Sequence, residues 1–267
     1  MRRAGKSFLM RQVIDELKTK GINPKSILYI NMDLVEFDHL QNYKDLNHHI
    51  KKYFKANQQT KYLFIDEVQN IDQWEKTINS IFTETGTDIY LTGSNAGMLS
   101  SELSTHLSGR YIELPLHTLN FNEFLKFRKN PDKDREKEFL LFLRYGGLPA
   151  IHQLELEDES IYPYIRAIYN TILLKDVVAR YQVRSVNLLE NITEYVFDNI
   201  GNNFSAKRIA DYLKSQQTQV GVDTIQNYLK QLESAYLINK VKRYDLKGKK
   251  ILEVNEKYFL GDIGIRH

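Results

Sequence analysis

Cysteine is absent from the sequence. A disulfide framework, a thiolate metal cage, a cysteine nucleophile and a thiol switch are therefore all excluded. With 5 prolines and 13 glycines in 267 residues, the chain is neither collagen-like nor a Pro/Gly-rich disordered one. No apolar run approaches the roughly 18 residues of a membrane span. The first residues, Met1-Arg2-Arg3-Ala4-Gly5-Lys6-Ser7, lead into no signal-peptide hydrophobic segment. These absences argue against secretion and membrane insertion and suit a cytoplasmic setting. What is present is ordinary: 42% apolar and 27% charged residues with a net charge of +3, enough for a sizeable core in one large domain or two modest ones.

The charge is unevenly spread. Residues 201–267 hold twelve Lys/Arg against seven Asp/Glu, a net +5, while residues 1–200 hold 25 against 27. A basic tail of this size fits either nucleic-acid affinity or a solvated face.

Apolar runs rich in branched and aromatic residues alternate with helical periodicity through the first half. The pattern predicts strands at Ser26–Asp33, Tyr62–Asp66, Asp88–Thr92 and Tyr111–Leu114. It predicts helices over Ser7–Lys20, Tyr43–Phe54 and Trp74–Glu84. Alternation of this kind implies an α/β fold whose parallel sheet has helices on both faces. Residues 121–200 read as successive helices, with Gly146, Gly147 and Pro149 as a sharp turn at a boundary between modules. Ser205 can cap a helix through Leu213, and Val222–Leu237 forms a longer one. Ile238–Arg243 and Lys249–Asn255 follow as strands around Asp245–Gly248. Helix, helix, then hairpin is winged-helix order. The expected division is 1–120, 121–200 and 201–267. No internal repeat or low-complexity segment is present.

Three elements carry chemistry. Gly5-Lys6-Ser7, opening a helical pattern, is the back half of a phosphate-binding loop. Helix N-terminal amides and an ammonium meet phosphate oxygens there, and a serine hydroxyl reaches magnesium. The motif is short enough to recur by chance. Some sixty residues on, Tyr62-Leu63-Phe64-Ile65 ends in Asp66-Glu67. One carboxylate suits magnesium and the other an attacking water, at the strand end where open parallel sheets place ligands. Third, Ile89-Tyr90-Leu91 ends in Thr92-Gly93-Ser94-Asn95. A hydroxyl or amide there could sense a terminal phosphate, or the residues could form a simple turn. Trp74 reads as core, and the seven histidines show no metal-cage spacing, with His48-His49 on a solvated helix.

In these residues the chain resembles the prokaryotic AAA-type P-loop ATPases that carry a domain of unknown function after a winged helix. The likeness rests on Arg2-Arg3-Ala4-Gly5-Lys6-Ser7, Phe64-Ile65-Asp66-Glu67-Val68-Gln69, Leu91-Thr92-Gly93-Ser94-Asn95, Leu107-Ser108-Gly109-Arg110, Pro115 with Phe121-Asn122-Glu123-Phe124, and Tyr145-Gly146-Gly147-Leu148-Pro149. The resemblance implies ATP binding and magnesium-dependent hydrolysis. Arg3, Ala4, Gly5, Lys6 and Ser7 would form the phosphate loop, Ser7 and Asp66 would hold magnesium, and Glu67 would be the base. Ser94 or Asn95 would be the phosphate sensor. Arg110 would serve as an arginine finger in cis or across a subunit interface, or else form a surface ion pair or order the following strand. Arg2 and Arg3 could touch phosphate or remain a solvated pair.

The sequence departs from that pattern at its start. Five residues before Gly5 is position zero, so the loop's first glycine and the strand before it are not in the chain. A central strand of five or six buried residues, at about 1.5–3 kcal/mol each, is worth roughly 8–15 kcal/mol, comparable with a domain's whole margin. The expectation is an N-terminally truncated product. The far end, Phe259–His267, reads as a strand and turn entering further structure.

Two function classes follow. One is an ATP-driven molecular switch or motor, which could associate with a protein partner or form a homo-oligomer. The other is a DNA-binding winged helix with an inert ATPase half, using Thr224–Lys230 as recognition helix and Lys240, Lys242, Arg243, Lys247, Lys249 and Lys250 as a basic wing along duplex phosphates. If truncation is final, a scaffold that does neither is the third outcome.

Overall fold

A computed structural model describes residues 1–54, 60–84, 86–94, 111–241 and 256–266. Its contacts separate two units. Gly5–Pro115 form a sheet unit, and Met1–Ala4 with Leu116–His267 form a helical unit.

The sheet unit runs α1 (Lys6–Thr19), β1 (Ile27–Asn31), α2 (Tyr43–Tyr53), β2 (Lys61–Asp66), α3 (Trp74–Thr83) and β3 (Thr87–Leu91). The strands are parallel in the order β1-β2-β3, with Ile27 opposite Tyr62 and Lys61 opposite Thr87. Parallel neighbours need a crossover, which α2 and α3 supply. β2 alternates as a strand buried on both faces must. Leu63 and Ile65 pack with Leu28, Ile30, Leu46, Ile50, Trp74 and Ile78, whereas Tyr62 and Phe64 pack with Ile27, Tyr29 and the α1 residues Met10 and Ile14. Phe64 also stacks on Tyr90 at 4.5 Å. Leu63, Phe64 and Ile65 are wholly buried, each worth about 1.5–3 kcal/mol. That burial anchors the strand whose end carries Asp66. Asn42 starts α2 by accepting the Lys44 and Asp45 amides.

One predicted strand is not formed. Tyr111–Leu114 has no ladder partner among the described residues, with Ile112 88% and Leu114 81% exposed. Branched and aromatic residues favour a pleated surface only where a neighbour offers backbone partners and side-chain packing, and the sheet of described strands ends at β3.

The helical unit contains α4 (Phe121–Phe127), α5 (Arg135–Tyr145), α6 (Asp158–Thr171), which continues into a π-helical segment (Ile172–Ala179), and α7 (Val186–Asp198). Then come β4 (Asn203–Phe204), α8 (Ala206–Ser215), α9 (Val222–Ser234), β5 (Ile238–Val241) and β6 (Glu256–Leu260). Its sheet is antiparallel in the order β4-β6-β5, with Ile238 opposite Leu260 and Phe204 opposite Glu256. Ser205 caps α8 as its sequence position implies. α9 stops three residues before Leu237. Tyr236 turns left-handed at φ 58°, and the Leu237 and Tyr236 amides bond back to the Leu232 and Glu233 carbonyls, a Schellman ending. The predicted strand Lys249–Asn255 and turn Asp245–Gly248 lie outside the described residues.

Gly146-Gly147 is not a boundary between modules. It is wedged inside the helical unit, where a Cβ on Gly147 would stand 2.1 Å from the Leu119 carbonyl oxygen and one on Gly264 2.3 Å from that of Tyr145. The buried Asp262 accepts the Gly147 and Gly264 amides at 2.8 and 2.9 Å. Burial raises its carboxyl pKa, against those bonds and one from Thr118. The two Gly-rich segments, over a hundred residues apart in sequence, lock together by close backbone approach. No described helix is long and apolar enough to cross a membrane.

Candidate functional site

The site is built at the carboxyl end of β2, within the sheet unit. Gly5 adopts φ 100°, a conformation only glycine takes without strain, and from it the chain enters α1. The first turn of a helix presents amide donors and the positive end of its dipole, and α1 carries no acidic residue there to compete for them. Lys6 leaves this turn with its side chain 14% exposed and its ammonium 3.8 Å from Glu67 Oε1. Residues sixty apart in sequence thus converge as the motifs require.

Asp66 and Glu67 differ in setting. Asp66 ends β2 and is 1% exposed. Its carboxylate accepts the Tyr29 hydroxyl at 3.1 Å and the Thr92 hydroxyl. Both are neutral donors, so the buried charge is solvated rather than cancelled. Burial and the Asp66 charge together raise the Tyr29 pKa, which keeps that hydroxyl a donor. Glu67 lies just beyond the strand in left-handed backbone geometry, φ 55° and ψ 49°. A non-glycine residue held there stores strain of about 1–3 kcal/mol. The Thr92 Oγ secures it by accepting the Glu67 amide at 3.1 Å while donating to Asp66. Gln69 donates to Glu67 Oε2 and to the buried Ser94 hydroxyl at 3.4 Å.

Of the residues singled out from sequence, Lys6, Glu67 and, through Gln69, Ser94 are joined in one constellation, and Asp66 enters it through Thr92. Gly5 and Ser7 flank Lys6 at the start of α1. Arg3 and Ala4 group with the helical unit, Arg3 exposed and left-handed at φ 61°. Arg2 is no solvated pair-mate of Arg3. It forms a two-pronged bond with the buried Asp176 at 2.6 and 2.9 Å. Asn95 and Arg110 lie outside the described residues. His49, read as solvated, is half-buried against His39, with ring nitrogens 3.4 Å apart. Its pKa is lowered by burial first and then by the neighbouring His39, Lys52 and His48.

Sequence reasoning assigned no role to Tyr29, Thr92 or Gln69. Tyr29 had a signal in its period-two position on β1, facing the same way as Phe64. Thr92 and Gln69 stood inside recognised motifs, but only folding shows which side chains they meet. Among the described residues no group of three or more His, Cys, Asp or Glu could hold a metal. The donors that converge here are hard oxygens, which suit magnesium rather than a softer ion.

Residues 1–125 match an AAA domain family, and residues 136–267 match a domain of unknown function, DUF8612. An uncharacterised protein of Haemophilus influenzae is 35% identical over 269 residues, covering 100% of this chain and 66% of that protein. An uncharacterised protein of Methanocaldococcus jannaschii is 32% identical, covering 94% of this chain and 57% of that one. The chain thus spans about three fifths to two thirds of the length of these curated relatives. Among solved structures, a Walker-type ATPase of Pyrococcus abyssi superposes with a TM-score of 0.65 at 14% identity, covering 100% of this chain and 88% of that chain. What is shared with that structure is the fold, with a three-stranded parallel sheet and helices in the sheet unit.

Proposed function

We propose that the sheet unit binds ATP with magnesium and hydrolyses it, and that turnover drives a conformational switch. The observation that carries this reading is the approach of Lys6 to Glu67 at 3.8 Å, which brings the phosphate-binding cation beside the acid pair. The AAA match over residues 1–125 supports it.

In this reading Arg3, Ala4, Gly5, Lys6 and Ser7 wrap the phosphates, with Lys6 exchanging a carboxylate for phosphate oxygens when the nucleotide arrives. Ser7 and Asp66 would hold magnesium, whose charge would offset that of the phosphates. The Tyr29 and Thr92 hydroxyls keep the Asp66 carboxylate aimed. Glu67, released from Lys6, takes the proton of the attacking water, and Ser94 with Asn95 reads the terminal phosphate. Arg110 is the arginine finger, in cis or from a second copy. Residues 1–120 form the ATPase core, 121–200 a helical lid or linker, and 201–267 a winged helix.

Replacing Glu67 with Gln should preserve nucleotide affinity and lower turnover by about 10²–10⁴-fold, the usual weight of a positioned base. Binding of a fluorescent ATP analogue alongside phosphate release measures both, and undiminished turnover removes Glu67 from the mechanism.

A second reading, duplex DNA binding by the winged helix, is favoured by the outer face of α9, where Thr224, Gln226, Asn227 and Lys230 are exposed. The antiparallel pair β5 and β6 that follows α9 supports the same reading. Against it, Lys240 is paired with Glu256. Binding that weakens steeply with salt, with a shallower slope when Lys249 and Lys250 are neutralised, supports this reading. A duplex that is not retained at low salt discards it.

A further inference from the structure

We propose that Gln69 is a positioning residue for the base. Its carboxamide holds the Glu67 carboxylate in one orientation and couples it to Ser94. The proposal rests on the ATPase reading above and names a regulator of that same site.

The geometry begins at the left-handed Glu67. That turn sends the chain into a short 3-10 segment, Val68–Asn70. The segment is tied down by the Val68 amide on the Thr92 carbonyl and the Asn70 amide on the Glu67 carbonyl, both at 3.1 Å. Residue 69 is thereby folded back onto residue 67. Gln69 Nε2 donates to Glu67 Oε2 and to Ser94 Oγ. Its Oε1 is buried with no hydrogen-bond partner among the described residues, close enough to Gly93 that a Cβ there would stand 3.1 Å away. Turning the amide over would set a carbonyl oxygen against the Glu67 carboxylate, a repulsion that a bond donated by the Ser94 hydroxyl would not offset. The orientation is therefore dictated by the donors, and an orphaned buried acceptor is tolerated to keep it. Such an acceptor is costly and rare in parts of a protein that serve packing alone, and here it adjoins backbone strain at the same residue pair.

The consequence is a division of labour on one carboxylate. Oε2 is fixed by Gln69, and Oε1 faces Lys6. Once Lys6 turns to phosphate, Oε1 is the oxygen left to accept a proton from water. Any shift of the Ser94 hydroxyl toward a terminal phosphate is felt by Glu67 through the shared amide.

The test compares the full chain with Q69L and Q69E, measuring Mg-ATP binding, kcat, KM and the pH profile between pH 5 and 9. Q69L should bind within about twofold of wild type and lose roughly tenfold or more in kcat at unchanged KM, the pattern of an interaction needed in the transition state only. Q69E can donate only when its carboxyl is protonated, so its turnover relative to wild type should rise as the pH falls toward 5. A merely structural role would produce no such recovery. If Q69L does not fold, the near-isosteric Q69E decides alone. Unchanged kcat in Q69L, or a Q69E profile parallel to wild type, overturns the proposal while leaving the ATPase reading intact. Failure of the wild-type chain to bind Mg-ATP overturns both.

Discussion

The two units bury carboxylates in opposite ways. In the helical unit Glu138, 1% exposed, takes the Arg128 guanidinium at 2.9 and 3.4 Å and the Asp132 amide at 2.7 Å. Asp176 is gripped by Arg2, and Asp262 by two glycine amides. In the sheet unit Asp66 has two hydroxyls, and Glu67 has one amide and an ammonium that stands off at 3.8 Å. Guanidinium groups and backbone amides fixed by the fold make these carboxylates part of the scaffold. Side-chain hydroxyls, one side-chain amide and an ammonium at 3.8 Å hold Asp66 and Glu67 instead, which suits carboxylates that change partners in the proposed ATPase cycle.

Removing a cation from each unit should expose that contrast most strongly. Arg128→Met leaves Glu138 buried and uncompensated and should cost about 3 kcal/mol of stability. Lys6→Met, which removes an ammonium 3.8 Å from Glu67 rather than a two-pronged bond, should cost less stability than that, yet abolish nucleotide binding. Urea unfolding together with nucleotide titration measures both, and a Lys6 variant that unfolds as early as the Arg128 variant erases the distinction.

Close packing gives the next effect. Gly147→Ala drives a methyl into the Leu119 carbonyl and should destabilise by about 1–3 kcal/mol or more. Gly5→Ala, with open space around its Cβ position, should cost only its left-handed backbone, about 1 kcal/mol. Equal shifts in melting temperature for the two would refute this ordering.

Tyr29→Phe strips one hydroxyl from Asp66 and should cost about 1–2 kcal/mol, with weakened magnesium dependence of nucleotide binding as its functional trace. Titrating the ion against a fluorescent nucleotide reads it, and an unaltered curve would show that the hydroxyl serves packing only.

The smallest effect is a pH dependence. His152 in the helical unit packs edge to face with Phe124 at 4.6 Å, with both ring nitrogens buried and without a hydrogen-bond partner among the described residues. Burial, then the Arg128 charge, lower its pKa from 6.5 to about 4, with Glu138 opposing. Because the folded value lies below the unfolded one, this contribution is complete above pH 6.5 and is lost as pH falls toward 4. His152→Phe should flatten that part of the stability curve relative to wild type. Parallel curves would assign the acid sensitivity elsewhere.

The local elements were written plainly in the chain. Apolar period two around Leu63–Ile65 and helical spacing in α1, α2 and α3 come through because each depends on neighbours a few residues away. Tyr111–Leu114 was misread because a strand needs a partner its own residues do not encode. Gly146-Gly147 was misread because a turn signal cannot say what packs against it.

By itself, then, the sequence determined the Gly5-Lys6-Ser7 motif at the start of a helix, the acid pair at the end of an apolar strand and the order of helices and strands, all of them short-range properties of side-chain chemistry. Tertiary structure alone decided that Thr92 bridges Asp66 and the Glu67 amide, that Gln69 holds Glu67, that Arg2 is spent on Asp176 and that Asp262 clasps Gly147. Each of these joins side chains with backbone or other side chains through directional bonds, and only the closed fold brings such partners within the 3 Å or so over which hydrogen bonds act.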